Sequence, residues 1–215
     1  MYMLQIAHRG YSHIYGDNNI ESFKHAVAHN FDMLEFDVQL SREGTIVIYH
    51  DIDIDGEYVS LLTEKELKTK GVISLNEMLL TIDINEIKLF FDLKGQDDVI
   101  SVLLPLLKKK YNNDELKRIY ISGFNRHFVD IIKKSGLPLK LGFTSENNFT
   151  FDIYDMIIKN LDFICIHYNA LNNETINYFH KNNILIFTYT CKNDFIFKHM
   201  IKYKVDGIVT NYPLS

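Results

Sequence analysis

The chain has 215 residues, 47% of them hydrophobic and 24% charged, which suits one globular domain over residues 1–215 with a substantial core and excludes a disordered chain. A formal net charge of −5, with the lysine run 108–110 set among acids, offers no basic surface for nucleic acid. Two cysteines, Cys165 and Cys191, cannot build a disulfide framework; with no basic and apolar leader and no run of about 18 apolar residues, a cytoplasmic protein without a transmembrane segment is expected. The abundance of Asn, Ile, Lys, Tyr and Phe is read as a compositional trait with no bearing on function, and nothing specifies an oligomeric state.

In chain order, apolar and β-branched runs at residues 4–7, 33–38, 89–93, 118–122, 139–143, 163–166, 185–189 and 207–210 predict eight strands. Segments 19–30, 125–135, 172–182 and 193–203, each opening on Asn, have helical spacing between them. Alternation of this kind predicts a parallel sheet with crossover helices, and eight repeats predict a closed (β/α)8 TIM barrel. Only residues 211–215 follow the last strand, so the final helix is expected to be truncated or absent. Residues 38–51 break the alternation as a β-hairpin after the second strand, with no room for a helix. A turn over Ser41, Arg42, Glu43 and Gly44 sets Leu40 opposite Thr45 and Glu35 opposite His50. Glu35, Asp37 and Gln39 then share one face, matched by Ile46, Ile48 and His50.

In such a barrel the reactive groups sit at the C-terminal ends of strands. Four strand ends carry them. His8-Arg9-Gly10 follows the first strand, with Gly10 suited to a sharp turn and Arg9 to a phosphate oxygen. Glu35 and Asp37, two apart on a strand, project the same way, and their mutual repulsion calls for a cation between them. His50-Asp51 ends the hairpin, and Asp92-Leu93-Lys94 ends the apolar run at 89–91. Three carboxylates for a hard divalent ion, two histidines for proton transfer and two cations to offset phosphate charge suit cleavage of a phosphodiester. Of the other histidines, only His167, closing the sixth strand, stands where it would line a pocket.

These motifs resemble the glycerophosphodiester phosphodiesterase family, and the resemblance spans nearly the whole chain. His8-Arg9-Gly10, Asp17-Asn18-Asn19, Glu35-Phe36-Asp37, His50-Asp51, Asp92-Leu93-Lys94, Ser122-Gly123-Phe124, Tyr189-Thr190 and the closing run from Val205 to Pro213 occur in the family's order. The resemblance implies a metal-dependent enzyme that releases glycerol 3-phosphate and an alcohol. In it His8 and His50 act as general acid and base, Glu35, Asp37 and Asp92 hold Mg2+ or Ca2+, and Arg9, Lys94 and Tyr189 bind substrate. The nucleophile is either a substrate hydroxyl or water. Asp92 stands where the family usually has Glu, while the related sphingomyelinase D branch has a similar Asp-x-Lys, and Tyr189 stands at a Trp position. The stretch between His50 and Asp92 is short for the insertion many relatives carry, which implies a more open pocket. The competing readings are a lysophospholipase D or sphingomyelinase D-like enzyme acting on a lysophospholipid, and a silent barrel that binds a phosphate ligand; retention of both histidines weighs against the latter.

Overall fold

The structure, a computed structural model, describes residues 3–94 and 98–214. Its framework is eight strands: β1 (Leu4–His8), β2 (Met33–Leu40), β3 (Lys88–Leu93), β4 (Ile119–Gly123), β5 (Lys140–Ser145), β6 (Phe163–His167), β7 (Leu185–Cys191) and β8 (Gly207–Thr210). Each pairs in parallel with the next, and β8 pairs with β1, so the sheet closes on itself as a TIM barrel. Helices cross over outside it, among them Ile20–Ala28 after β1, Asp98–Lys110 after β3 and Asn173–Lys181 after β6. Residues 211–214 carry no helix, as expected.

The expected asparagine starts are helix caps. The side chains of Asn19, Asn172 and Asn193 accept hydrogen bonds from the amides of Ser22, Thr175 and Ile196, satisfying donors that have no partner within a helix. The fourth predicted helix starts later, at His127, whose amide is held by the Asn125 side chain.

Alternation along the strands sorts side chains into two layers. Leu34, Phe36, Val38, Leu89 and Phe91 face outward and pack under the helices. Ile6, Met33, Phe90, Tyr120, Phe163, Cys165, Phe187 and Val209 fill the barrel interior. The rings there need space that two glycines leave. A Cβ on Gly142 of β5 would lie 2.3 Å from the Phe163 ring, and one on Gly207 of β8 would lie 2.9 Å from Phe187. This aromatic plug closes the lower barrel, so polar side chains inside β1, β2 and β3 are confined to the upper mouth.

The hairpin after β2 forms, but in a register one residue away from the predicted one. Val38 pairs with Ile48, Gln39 with Val47 and Leu40 with Ile46. The turn has three residues, not four: Ser41 N–H donates to the Thr45 carbonyl, and Gly44 adopts φ 79° between them. Glu35, Asp37 and Gln39 share a face as expected, but the faces of the second hairpin strand are the reverse of those expected. Ile46 and Ile48 join the outer core beside Val38, and Val47 shares the Glu35, Asp37 and Gln39 side. A short strand Ile73–Ser74 extends the ladder, and Val47, Val59, Leu62, Leu67 and Val72 form a small satellite core over it. No helix among the described residues is long and apolar enough to cross a membrane.

Candidate active site

The end of β1 turns sharply. Arg9 and Gly10 adopt φ 55° and 86°, and a Cβ on Gly10 would lie 2.4 Å from Ser22 Oγ. A positive φ is uncommon for arginine, and three contacts hold it. The Arg9 N–H donates to Glu35 Oε2 at 2.9 Å, Ser22 Oγ donates to the Arg9 carbonyl, and the guanidinium reaches Asp17 Oδ2 at 2.8 Å. Arg9 Nε also lies 3.1 Å from Asp37 Oδ2, an ion pair without an aligned hydrogen bond. The turn thus aims Arg9 across the mouth instead of into solvent.

Glu35, Asp37 and Asp92 are buried, and one oxygen from each lies within 4.8 Å of the others. The one-methylene-shorter Asp92 still converges with the pair on β2. Asp37 accepts from Asn18 Nδ2 at 2.8 Å and faces Lys94 Nζ at 3.2 Å, while Lys94 lies 2.5 Å from Asp92 Oδ2. Asp92 Oδ1 is buried without a hydrogen-bond partner. Three acids here face two cations, so one negative charge is uncompensated. Its consequence shows in the acids' affinities for protons. Burial, reinforced by Asp37 and Asp92, pushes Glu35 well above the usual carboxylate range, and burial also raises Asp92 against the pull of Lys94. For Asp37 burial acts in the same direction but is outweighed by Lys94 and Arg9, so it stays ionised more readily than usual. A carboxylate cluster in which burial raises the proton affinity of two members, with one buried oxygen free, fits a hard divalent cation between them.

Both predicted histidines reach this mouth. His8 Nδ1 lies 2.7 Å from Asn211 Oδ1, an arrangement that places a proton on Nδ1 and leaves Nε2 with its lone pair free. Burial, with help from the Arg9 charge, lowers its pKa to about 4, so it is neutral over the physiological range. His50 is more exposed, with Nδ1 2.6 Å from Asp51 Oδ1. It arrives by a route other than strand pairing. Continuing the observed register would set it opposite Phe36, on the outer face, but the chain leaves the ladder after Tyr49 N–H bonds to the Asp37 carbonyl.

His8, Arg9, Glu35, Asp37, His50, Asp92, Lys94 and Tyr189 all border one cavity of about 160 Å3, floored by Phe90, Cys165 and Val209. Phe124, Glu146 and Lys192 stand at its rim. Every predicted site residue is therefore in one place. The Tyr189 hydroxyl is buried without a partner, and burial keeps it protonated. His167 is set back: its ring packs edge-on against Tyr189, at 5.4 Å between centroids, and it is not among the residues bordering the cavity. Asn18, Asn211 and Gln39 were not singled out from the sequence, although the first two lie inside motifs that were. Their roles as partners depend on loops from distant strands.

A parallel barrel whose mouth gathers acids, histidines and cations around a small cavity defines a hydrolase of the phosphoric diester class. The chain matches the model of the glycerophosphoryl diester phosphodiesterase family over residues 8–215, and it belongs to that family. It is 31% identical to a glycerophosphodiester phosphodiesterase of Caldanaerobacter subterraneus subsp. tengcongensis over 236 aligned residues, covering 99% of this chain and 96% of that protein. The fold matches the crystal structure of a glycerophosphodiester phosphodiesterase from Thermotoga maritima with a TM-score of 0.82 at 23% identity, over 98% of this chain and 95% of that one. It also matches an Oleispira antarctica phosphodiesterase solved with its product sn-glycerol-3-phosphate, with a TM-score of 0.86 at 19% identity, over 98% and 93%.

Proposed function

We propose that this enzyme hydrolyses glycerophosphodiesters to glycerol 3-phosphate and a free alcohol, with His8 and His50 as the acid–base pair and Mg2+ or Ca2+ on Glu35, Asp37 and Asp92. The observation that carries the reading is the convergence of two histidines on a buried carboxylate trio that has one oxygen free, flanked by Arg9 and Lys94. Held there, a divalent cation would supply Lewis-acid charge to the phosphate. Arg9 and Lys94 add fixed positive charge where the oxygens around phosphorus gain electron density, and the apolar floor keeps that attraction unscreened. A neutral His8 with Nε2 free is suited to take the proton from the attacking water, or from a glycerol hydroxyl whose cyclic phosphate water then opens to glycerol 3-phosphate. His50 is suited to give a proton to the oxygen of the departing alcohol as its bond to phosphorus breaks. Tyr189 walls the cavity, and its hydroxyl is available to a polar group of the substrate.

The test is incubation of the purified protein with glycerophosphocholine, glycerophosphoethanolamine and lysophosphatidylcholine in Mg2+ or Ca2+, with products identified. Glycerol 3-phosphate from the first two is expected. Choline released from the lysolipid alone would replace this reading with a lysophospholipase D, and silence on all three would favour a phosphate-binding barrel.

A further inference from the structure

The hairpin brings His50 to the mouth against its own register. An antiparallel ladder continued by one more pair would turn His50 toward Phe36 and the outer core. Leaving the ladder deprives the backbone around residue 50 of strand partners, and a polar backbone group without a partner is unfavourable wherever water is excluded. The Gln39 side chain supplies those partners. It lies on β2 two residues beyond Asp37, on the same face, and is 4% exposed. Its Nε2 donates to the Tyr49 carbonyl at 2.8 Å and to the Asp51 carbonyl at 2.8 Å, the residues on either side of His50. A terminal amide has two N–H donors, and both are used on this bend.

We infer that Gln39 is the positioning residue for His50: its amide clamps the carbonyls of Tyr49 and Asp51 and thereby holds the imidazole over the carboxylate cluster. This rests on the proposed acid–base role of His50. Gln39 itself has no contact with the cavity. The amide makes the bend rigid, since rotation of the peptide on either side of His50 breaks one of two hydrogen bonds. Misplacement of a catalytic group by about 1 Å can lower turnover roughly a hundredfold. The clamp is also separate from the cation site, because Glu35, Asp37 and Asp92 have other partners.

The test is a double-mutant cycle of Gln39→Met and His50→Ala, with kcat and KM on glycerophosphocholine and calorimetric titration of the divalent ion. Gln39→Met is expected to lower kcat by about 10- to 100-fold with KM within about threefold and metal affinity unchanged. In the His50→Ala background the same change should have no further effect, because the group it positions is gone. Equal effects in both backgrounds, or normal kcat in Gln39→Met, would overturn the role of Gln39 while leaving that of His50 intact. Normal turnover in His50→Ala would overturn both. Should Gln39→Met fail to fold, Gln39→Asn, which keeps the amide but is one methylene too short to span both carbonyls, carries the same cycle with the same expected loss.

Discussion

Burial of His8 makes a measurable statement about stability. In the fold its pKa is about 4, against an ordinary value of 6.5, because burial and the Arg9 charge disfavour the imidazolium. Below pH 6.5 the unfolded chain takes up this proton and the folded chain does not, so the unfolded state binds more protons and stability falls as pH falls. The contribution is fully present above pH 6.5 and is lost progressively toward pH 4. At about 1.4 kcal/mol per pH unit, the loss from this one group between pH 7.5 and pH 5 is roughly 2 kcal/mol, an upper value since the ring is partly exposed at the mouth. The assay is urea denaturation in EDTA at pH 7.5, 6 and 5, comparing the protein with His8→Asn. The variant should be less sensitive to acid by about that amount, and the gap between the two curves should change over the window. Parallel curves would refute the argument that His8 is held neutral.

Three further outcomes follow from the geometry. Asp92→Asn should weaken divalent-ion binding by at least about tenfold by calorimetric titration while leaving the melting temperature in EDTA unchanged or raised, because it removes one of three crowded acids. Asn211→Asp sets a carboxylate against His8 Nδ1 and should move the acidic limb of the kcat/KM profile upward by about 1 pH unit or more, with an unmoved limb counting against His8 as the titrating base. Gly142→Ala places a methyl group 2.3 Å from the Phe163 ring and should lower stability by about 1–3 kcal/mol, a drop of several degrees in melting temperature by calorimetry.

The barrel was legible because strands buried on both faces read as nearly continuous apolar runs, as Phe163, Ile164, Cys165 and Ile166 do. The acids and histidines were legible because each interrupts or ends such a run. The hairpin was visible as a turn between two strands, but its register was not, since Ser41 could pair or turn and the choice rests on Gly44 entering the left-handed region. That one residue exchanged the two faces of the second hairpin strand while Glu35, Asp37 and Gln39 kept theirs. His50 still reached the site, for a reason invisible in strand periodicity: a bend fixed by Gln39. The asparagines were legible as helix starts but not as partners of the site residues. Asn18 bonds Asp37, Asn211 bonds His8, and Asn19, Asn172 and Asn193 cap helices, roles set by which loops meet after closure of the barrel.

The central claim is that a divalent cation on Glu35, Asp37 and Asp92 serves hydrolysis at this mouth, and it is tested most directly by metal removal and restoration. Protein stripped with EDTA and freed of the chelator should release no glycerol 3-phosphate from glycerophosphocholine, and should recover release on addition of Mg2+ or Ca2+, whereas Glu35→Gln should not recover under the same conditions. Full release by the stripped protein, or full recovery by the Glu35→Gln variant, would contradict the account.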